Sequence, residues 1–396
     1  MTEERPERLD GIGPALQQEI YIEGEGSTVP LSASALEQQA LDAMAPDVRA
    51  FVAGGAGGGD TMGANRSAFD RWRIAPRVLR DVAERDLQTE FLDRTLPAPV
   101  MLAPIGAQTI HHDDGELATA RAAASLGIPY LVSTVSSWPM EDVAEAMAGT
   151  PKLFQLYWGP DRELVESFVG RAEDAGYDAV VVTVDMPLTG WRERDADEAA
   201  LPPLRGEGLA NYTTDPVFRA SVEEPLEDHP EQVVEQYLAS FTDASLTWDD
   251  LGWLRERTDL PILLKGVLHP EDAVTAVANG VDGLVVSNHG GRQLDGAVGA
   301  LQALPRVAGA VDGRVPVVFD SGIRRGPDVL KALALGADAV TVGRPYIYGL
   351  ALAGEAGVRD VLRHLIGDLD IALGLAGYTD VADVDRSALW PAPDTE

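Results

Sequence analysis

The sequence predicts an α/β fold, a (β/α)8 TIM barrel with an N-terminal helical segment and a long insertion after strand 4. Three observations carry this. First, eight short runs rich in Val, Ile and Leu recur, at 99–105, 129–134, 152–157, 179–185, 261–265, 283–287, 315–320 and 339–342. Each is continuously apolar, the pattern of a strand buried on both faces in a parallel sheet. Second, alanine-rich amphipathic stretches such as 116–126, 162–175 and 327–335 separate most of the runs. Several helical stretches end at a glycine suited to a left-handed cap, namely Gly127, Gly176, Gly280 and Gly336. Third, eight strand–helix units are the number that closes a barrel. A doubly wound open sheet is the competing architecture; it needs a switch point and usually has fewer strands.

Two parts lie outside the repeat. Residues 1–97 precede the first strand and read as short helices plus a glycine-rich loop, packing on the barrel of residues 98–385. Residues 186–260 are far longer than an ordinary connection between strand and helix. An insertion there lies at the C-terminal face, where barrel sites form, and is a candidate lid; a surface excursion or a subunit contact is the alternative. Residues 386–396 read as a C-terminal tail. The run Gly54-Gly55-Ala56-Gly57-Gly58-Gly59 follows no strand and lacks the Lys-Ser/Thr of a P-loop, so it reads as a flexible turn.

Composition narrows the function. With 396 residues, 45% of them hydrophobic, the chain can bury a sizeable core. Its 31 Lys and Arg against 64 Asp and Glu give a net charge of −33, which repels nucleic-acid backbones. The acidity is spread along the chain, and only three lysines occur, Lys152, Lys265 and Lys331. Such a surface suits a salt-loving source, where screening suppresses self-repulsion. There is no cysteine, which excludes disulfides, thiolate nucleophiles and Cys-ligated metals. The start, Met1 to Arg5, has no signal-peptide character, and no run of 18 apolar residues occurs, so a cytoplasmic protein with no membrane partner is expected. Adjacent His111 and His112 point apart on regular structure, and no metal is expected there.

Polar residues gather at the strand ends. In order these are Gly106; Ser133; Gln155 and Tyr157; Thr183 and Asp185; Lys265; Ser287-Asn288-His289-Gly290-Gly291-Arg292-Gln293; Asp320-Ser321-Gly322-Ile323-Arg324-Arg325-Gly326; and Gly343-Arg344. All would meet at one rim of the barrel. His289 can take a proton near neutral pH, and Arg292 offers a fixed fork to a carboxylate. The glycine turn after strand 7 and Gly343-Arg344 after strand 8 suit a phosphate. The competing structural reading pairs Arg324 and Arg325 with Asp328. Lys265, at the end of a buried strand, needs an anion or an electron-rich partner. Its structural alternative is an ion pair with Asp185 or Asp320.

The segments 287–293, 320–324 and Gly343-Arg344-Pro345 resemble the FMN-dependent 2-hydroxy acid oxidase and dehydrogenase family, over residues 18 to 385. Glu19-Ile20-Tyr21, Val52-Ala53-Gly54-Gly55, the segment 211–218 and the long insertion are most similar to its lactate 2-monooxygenase type. The resemblance implies FMN as cofactor and a 2-hydroxy acid as substrate, with oxygen or a carrier as acceptor. It makes His289 the base, Asp185 its supporting carboxylate, and Tyr157 a tyrosine near the substrate oxygen. Arg192 and Arg292 become the clamp on the substrate carboxylate. Ser133, Gln155, Thr183, Ser287 and the backbone of Ile105-Gly106-Ala107 become flavin contacts, and Lys265 lies beside the flavin N1 region. Asp320, Ser321, Gly322, Ile323, Arg324, Gly343 and Arg344 hold the ribityl phosphate. A homotetramer or homo-octamer is implied.

Two positions depart from that pattern. Phe51 stands where the family usually has a tyrosine that hydrogen-bonds the substrate carboxylate. Val135 stands where glycolate oxidase has a tryptophan above the pocket, so a larger or differently placed side chain should fit. The expected reaction is oxidation of an L-2-hydroxy acid to a 2-oxo acid or its decarboxylated product. An FMN barrel acting on another substrate, such as an isomerase, and a non-catalytic flavin- or phosphate-binding protein are the alternatives.

Overall fold

The computed structural model describes residues 9, 11–24, 26–147, 149–222 and 229–392. Met1 to Arg5, residues 223–228 of the insertion and the last four residues of the tail lie outside the described residues. Eight parallel strands close on one another in chain order. They are β1 (Val100–Leu102), β2 (Tyr130–Ser133), β3 (Lys152–Leu156), β4 (Ala179–Thr183), β5 (Ile262–Lys265), β6 (Gly283–Val286), β7 (Val317–Phe319) and β8 (Ala339–Val342). Closure is made by β8 on β1, with Val340 opposite Val100 and Val342 opposite Leu102. Every expected run holds one strand, and the open-sheet alternative is excluded. The helix Gly115–Leu126 stops at Gly127, whose φ of 68° disfavours any side chain with a Cβ.

The strands point alternate residues inward, and this period places the site. Met101, Leu131, Leu153, Val181, Leu263, Val285, Val318 and Ala339 fill the lower interior as one apolar cluster. Each fully buried Leu or Val there contributes about 1.5–3 kcal/mol. Two residues further along, the same inward face carries Ser133, Gln155, Thr183, Lys265, Ser287, Asp320 and Thr341. A dry lower layer is thus topped by a polar upper one.

The N-terminal segment is not only helical, which corrects the sequence reading. Strands Thr89–Phe91 and Arg94–Leu96 form a hairpin whose Phe91 and Leu96 plug the barrel floor. Its turn uses positive φ at Leu92 and Asp93, 46° and 59°, without a glycine. Trp72–Ile74 pairs antiparallel with Leu389–Pro391, so this part of the tail is a strand.

The insertion folds as short helices over the C-terminal face, among them Glu193–Asp197, Ala210–Thr213 and Pro230–Ser240. Buried Asn211 fastens it down: its Nδ2 donates to the carbonyls of Ser133 and Thr134, and its Oδ1 accepts from the Met140 amide. Tyr212 packs edge-on against Phe168, Phe218 and Tyr237. Among the described residues no helix is long and apolar enough to cross a membrane.

Candidate active site

The loop after β6 carries His289 in a left-handed conformation, φ 59°, which a non-glycine residue adopts only where its surroundings hold it. They do so here. The His289 amide donates to Ser287 Oγ at 2.9 Å, and the Gly290 amide donates to Ser321 Oγ at 3.0 Å. Asn288 exchanges two hydrogen bonds with Asn65 of the helix Asp60–Asp70, at 2.7 and 2.8 Å, both side chains buried. Asn65 was not expected from the sequence; a polar residue on a polar helix carries no local signal.

Asp185, just beyond β4, sits 3.1 Å from His289 Nδ1. Burial pushes its carboxyl up, but His289 and Lys265 outweigh this and hold it below the usual carboxylate range. An ionised carboxylate only accepts, so Nδ1 carries the proton and Nε2 keeps a lone pair. Burial, with Lys265 and Arg192 adding to it, lowers the His289 pKa against the opposing pull of Asp185. The imidazole is therefore neutral at pH 7. Nε2 lies 3.4 Å from the Tyr157 hydroxyl, whose pKa burial raises to about 12.

Beneath them runs a polar network. Ser133 Oγ donates to Gln155 Oε1 at 3.1 Å, and Gln155 Nε2 donates to Thr183 Oγ1 at 2.9 Å. These three strand neighbours are buried behind the cleft rather than on its wall. Lys265 Nζ donates to Ser287 Oγ at 3.2 Å and lies 3.6 Å from Asp320. Asp320 also accepts from Ser287, Ser321 and Thr341. Of the two ion-pair partners considered for Lys265, the structure selects Asp320.

A cleft of about 250 Å³ opens above this layer. Its walls include Phe51, Ile105, Gly106, Ala107, Val135, Tyr157, Arg192, Lys265, His289 and Arg292, and beyond them the segment Asp320–Arg324 with Gly343 and Arg344. Gly106 must be a glycine, because a Cβ there would lie 2.3 Å from the Val135 carbonyl. The insertion adds Met186, Leu201, Pro203, Tyr237 and Phe241. Sequence reading missed these five, since apolar residues in a loop look alike until the loop is folded.

At the far end Arg324 and Arg344 are half-buried, and loss of solvation lowers both pKa values, that of Arg344 to about 10. Among the described residues no carboxylate bonds to either guanidinium. Asp328, the expected partner of Arg324, instead accepts from the Arg66 side chain and the backbone amides of Arg324 and Arg325. The helix Arg344–Ala376 also begins there, with Gly343 at its N-cap. Two uncompensated cations and a helix start suit a phosphate. Lys265 with the amide and hydroxyl row suits a polar heteroaromatic ring, so the donor set fits FMN. Arg344 is at present turned onto the carbonyls of Val52, Gly54 and Gly290.

Those carbonyls belong to a second finding. The helix Pro46–Ala53 ends at the cleft, and its unpaired C-terminal carbonyls attract cations. Arg292 Nη1 donates to the carbonyls of Phe51 and Gly54 at 2.6 and 3.1 Å. The glycine run is thus no loose turn: the Ala56 amide donates to the Gly291 carbonyl, and Gly59 and Thr61 amides donate to Asp295. Arg192 donates to the Arg292 carbonyl at 3.1 Å and to Gln293 Oε1 at 2.8 Å. The two arginines therefore share the cleft wall beside His289. Among the described residues no group of three or more His, Asp and Glu could hold a metal.

The chain is similar to known proteins over most of its length. A family profile described as FMN-dependent dehydrogenase matches residues 40–391. L-lactate oxidase of Lysinibacillus sphaericus is 46% identical over 352 residues, 89% of this chain and 90% of that protein. 2-Hydroxyacid oxidase 1 of Homo sapiens is 42% identical over 359 residues, 90% of this chain and 95% of that one. The crystal structure of mandelate oxidase with (S)-4-hydroxymandelic acid superposes with a TM-score of 0.82 at 40% identity, covering 92% of this chain and 99% of that one. A closed barrel, a histidine–carboxylate pair over a flavin-compatible floor and a profile spanning most of the sequence lead to one assignment: the chain belongs to the family of FMN-dependent dehydrogenases, and FMN is its cofactor.

Proposed function

We propose that this enzyme oxidises an L-2-hydroxy acid, lactate-like in its reacting end but with a bulkier apolar substituent, to the 2-oxo acid. The carrying observation is that His289 Nε2 and the Arg192 and Arg292 side chains face one cleft. FMN supplies the two-electron acceptor. Arg192 and Arg292 bind the substrate carboxylate and fix which carbon faces the base. His289 Nε2 removes a proton, and Asp185 stabilises the imidazolium through Nδ1. Tyr157, a neutral phenol, donates toward the substrate oxygen. Lys265 places a buried cation beneath the ring-binding floor. From behind the cleft wall Ser133, Gln155, Thr183 and Ser287 would support the floor on which the ring rests, while Asp320–Arg324, Gly343 and Arg344 would hold the phosphate arm.

Phe51, Val135, Tyr237 and Phe241 leave an apolar side pocket, which supports a substituent larger than methyl. The electrons taken from the substrate would leave to oxygen or to a carrier, with peroxide, decarboxylated product or reduced carrier as the distinguishable outputs. The test is an anaerobic titration of the yellow protein with a panel of L-2-hydroxy acids. Loss of the flavin colour is expected, steepest with branched or aromatic acids. Colour unchanged by every acid, or turnover without any electron acceptor, would overturn the reading.

A cytoplasmic location and a homotetramer or homo-octamer complete the proposal. Exposed Leu188, Trp191 and Leu294 near the rim support contact between copies. Sedimentation velocity returning a monomer would refute the assembly.

A further inference from the structure

Asp195 lies inside the carboxylate clamp and is itself a carboxylate. It sits in the short helix Glu193–Asp197 with its side chain 11% exposed. Its Oδ2 accepts from Arg292 Nη2 at 2.8 Å and lies 4.0 Å from Arg192 Nη1. Its Oδ1 is buried without a hydrogen-bond partner among the described residues. Gly54 makes room for it, since a Cβ at residue 54 would lie 2.8 Å from that oxygen.

We propose that Asp195 is a positioning residue that trades substrate affinity for substrate orientation. It occupies one edge of the Arg292 guanidinium, while the Phe51 and Gly54 carbonyls occupy another. A planar guanidinium so held offers a substrate carboxylate only its remaining edge, in one orientation. Asp195 also cancels one of the two positive charges that Arg192 and Arg292 bring together. Burial and then the neighbouring Arg292 already press the Arg192 pKa down to about 10, so the pair is under mutual repulsion. Two guanidiniums and one carboxylate leave a single net charge, matched to a monocarboxylate. The inference rests on the clamp reading given under Proposed function.

Removing the charge separates affinity from orientation. In Asp195→Asn the substrate no longer competes with an internal anion, so carboxylates should bind more tightly. Arg292 gains freedom, so productive alignment should fall. The experiment uses FMN-loaded wild type, Asp195→Asn and Asp195→Glu. It measures the Kd of a non-reacting 2-oxo acid and of its neutral amide by perturbation of the flavin spectrum, together with kcat for the matching 2-hydroxy acid. For Asp195→Asn the 2-oxo acid should bind several-fold tighter, the amide should bind as in wild type, and kcat should fall roughly tenfold or more. Asp195→Glu keeps the charge and should hold the 2-oxo acid Kd within about twofold while lowering kcat. Weaker binding in parallel with lower kcat, or no change in either, overturns the proposal. Arg292→Leu is the control for the clamp: if it binds the 2-oxo acid as wild type does, the clamp reading itself has failed.

Discussion

The Asp185 carboxylate accepts from His289 Nδ1 across 3.1 Å, with its second oxygen buried and unpartnered among the described residues. This pairing leaves Nε2 as the basic atom and raises the imidazole pKa against burial and the cations Lys265 and Arg192, which together win. The base works only when neutral, so activity should hold down to pH values below the ordinary histidine range of about 6.5 and fall only beneath it. In Asp185→Asn the upward pull is gone, so the acid limb of kcat/KM should move lower still while the plateau drops. A limb that moves up would sink the assignment.

Replacing the base itself separates chemistry from folding. His289→Ala should keep FMN and lose turnover by about 10²–10⁴-fold, the usual worth of a positioned base. Stopped-flow reduction by a saturating 2-hydroxy acid reads this directly, and reduction at the wild-type rate would remove His289 from the mechanism.

Lys265 faces Asp320 at 3.6 Å in the most buried part of the site. Lys265→Ala leaves that carboxylate with hydroxyl donors only, and breaking a buried pair in this way typically costs about 3–5 kcal/mol. FMN should dissociate more readily on dialysis, and flavin reduction should slow. A variant equal to wild type on both counts would refute the role given to Lys265.

Phe51 places an apolar ring 5.2 Å from the Arg292 guanidinium on the cleft wall. Phe51→Tyr adds a donor there. A hydrogen bond to a charged group is worth about 1.5–3 kcal/mol. Specificity for lactate should therefore rise by roughly ten- to a hundredfold in kcat/KM. Val135→Trp should depress branched and aromatic acids selectively. Equal effects on small and large acids would argue against both positions as selectors.

Glu116 gives a stability prediction away from the chemistry. It is fully buried, and burial pushes its pKa up to about 7, against backbone hydrogen bonds from Gln108 and Ser137 that favour the charged form. The folded chain holds this proton more tightly than the unfolded chain. Its contribution is full below the unfolded value near 4.5 and is lost as pH rises toward 7. Glu116→Gln should therefore gain stability relative to wild type as pH rises from about 5 to about 8, by a free energy of order 3 kcal/mol, read as a Tm difference that widens with pH. A Tm difference independent of pH would show that the carboxyl is not protonated in the fold.

Much of this was readable from the sequence because burial on both faces writes itself as unbroken apolar runs, and period 2 carries those runs into polar strand ends. His289, Asp185 and Lys265 stand out there as titratable groups among Val and Leu. Other features leave no such trace. The floor hairpin has three-residue strands and a turn of Leu92 and Asp93 with no glycine to mark it. Asp195 is one acid among 64 acidic residues, distinguished only by what folds against it. The run from Gly54 to Gly59 has no signature of its own; its packing on Gly291 and Asp295 is a long-range fact.

The pairing of Trp72–Ile74 with Leu389–Pro391 has a consequence for biogenesis. The second partner is made hundreds of residues after the first, so the early strand waits through that stretch of synthesis for its mate. Contacts this distant in sequence slow the final step of folding. The two segments also act as a latch, in which freeing one end frees the other. A protease nick before Leu389 should loosen the Trp72 segment, far away in sequence.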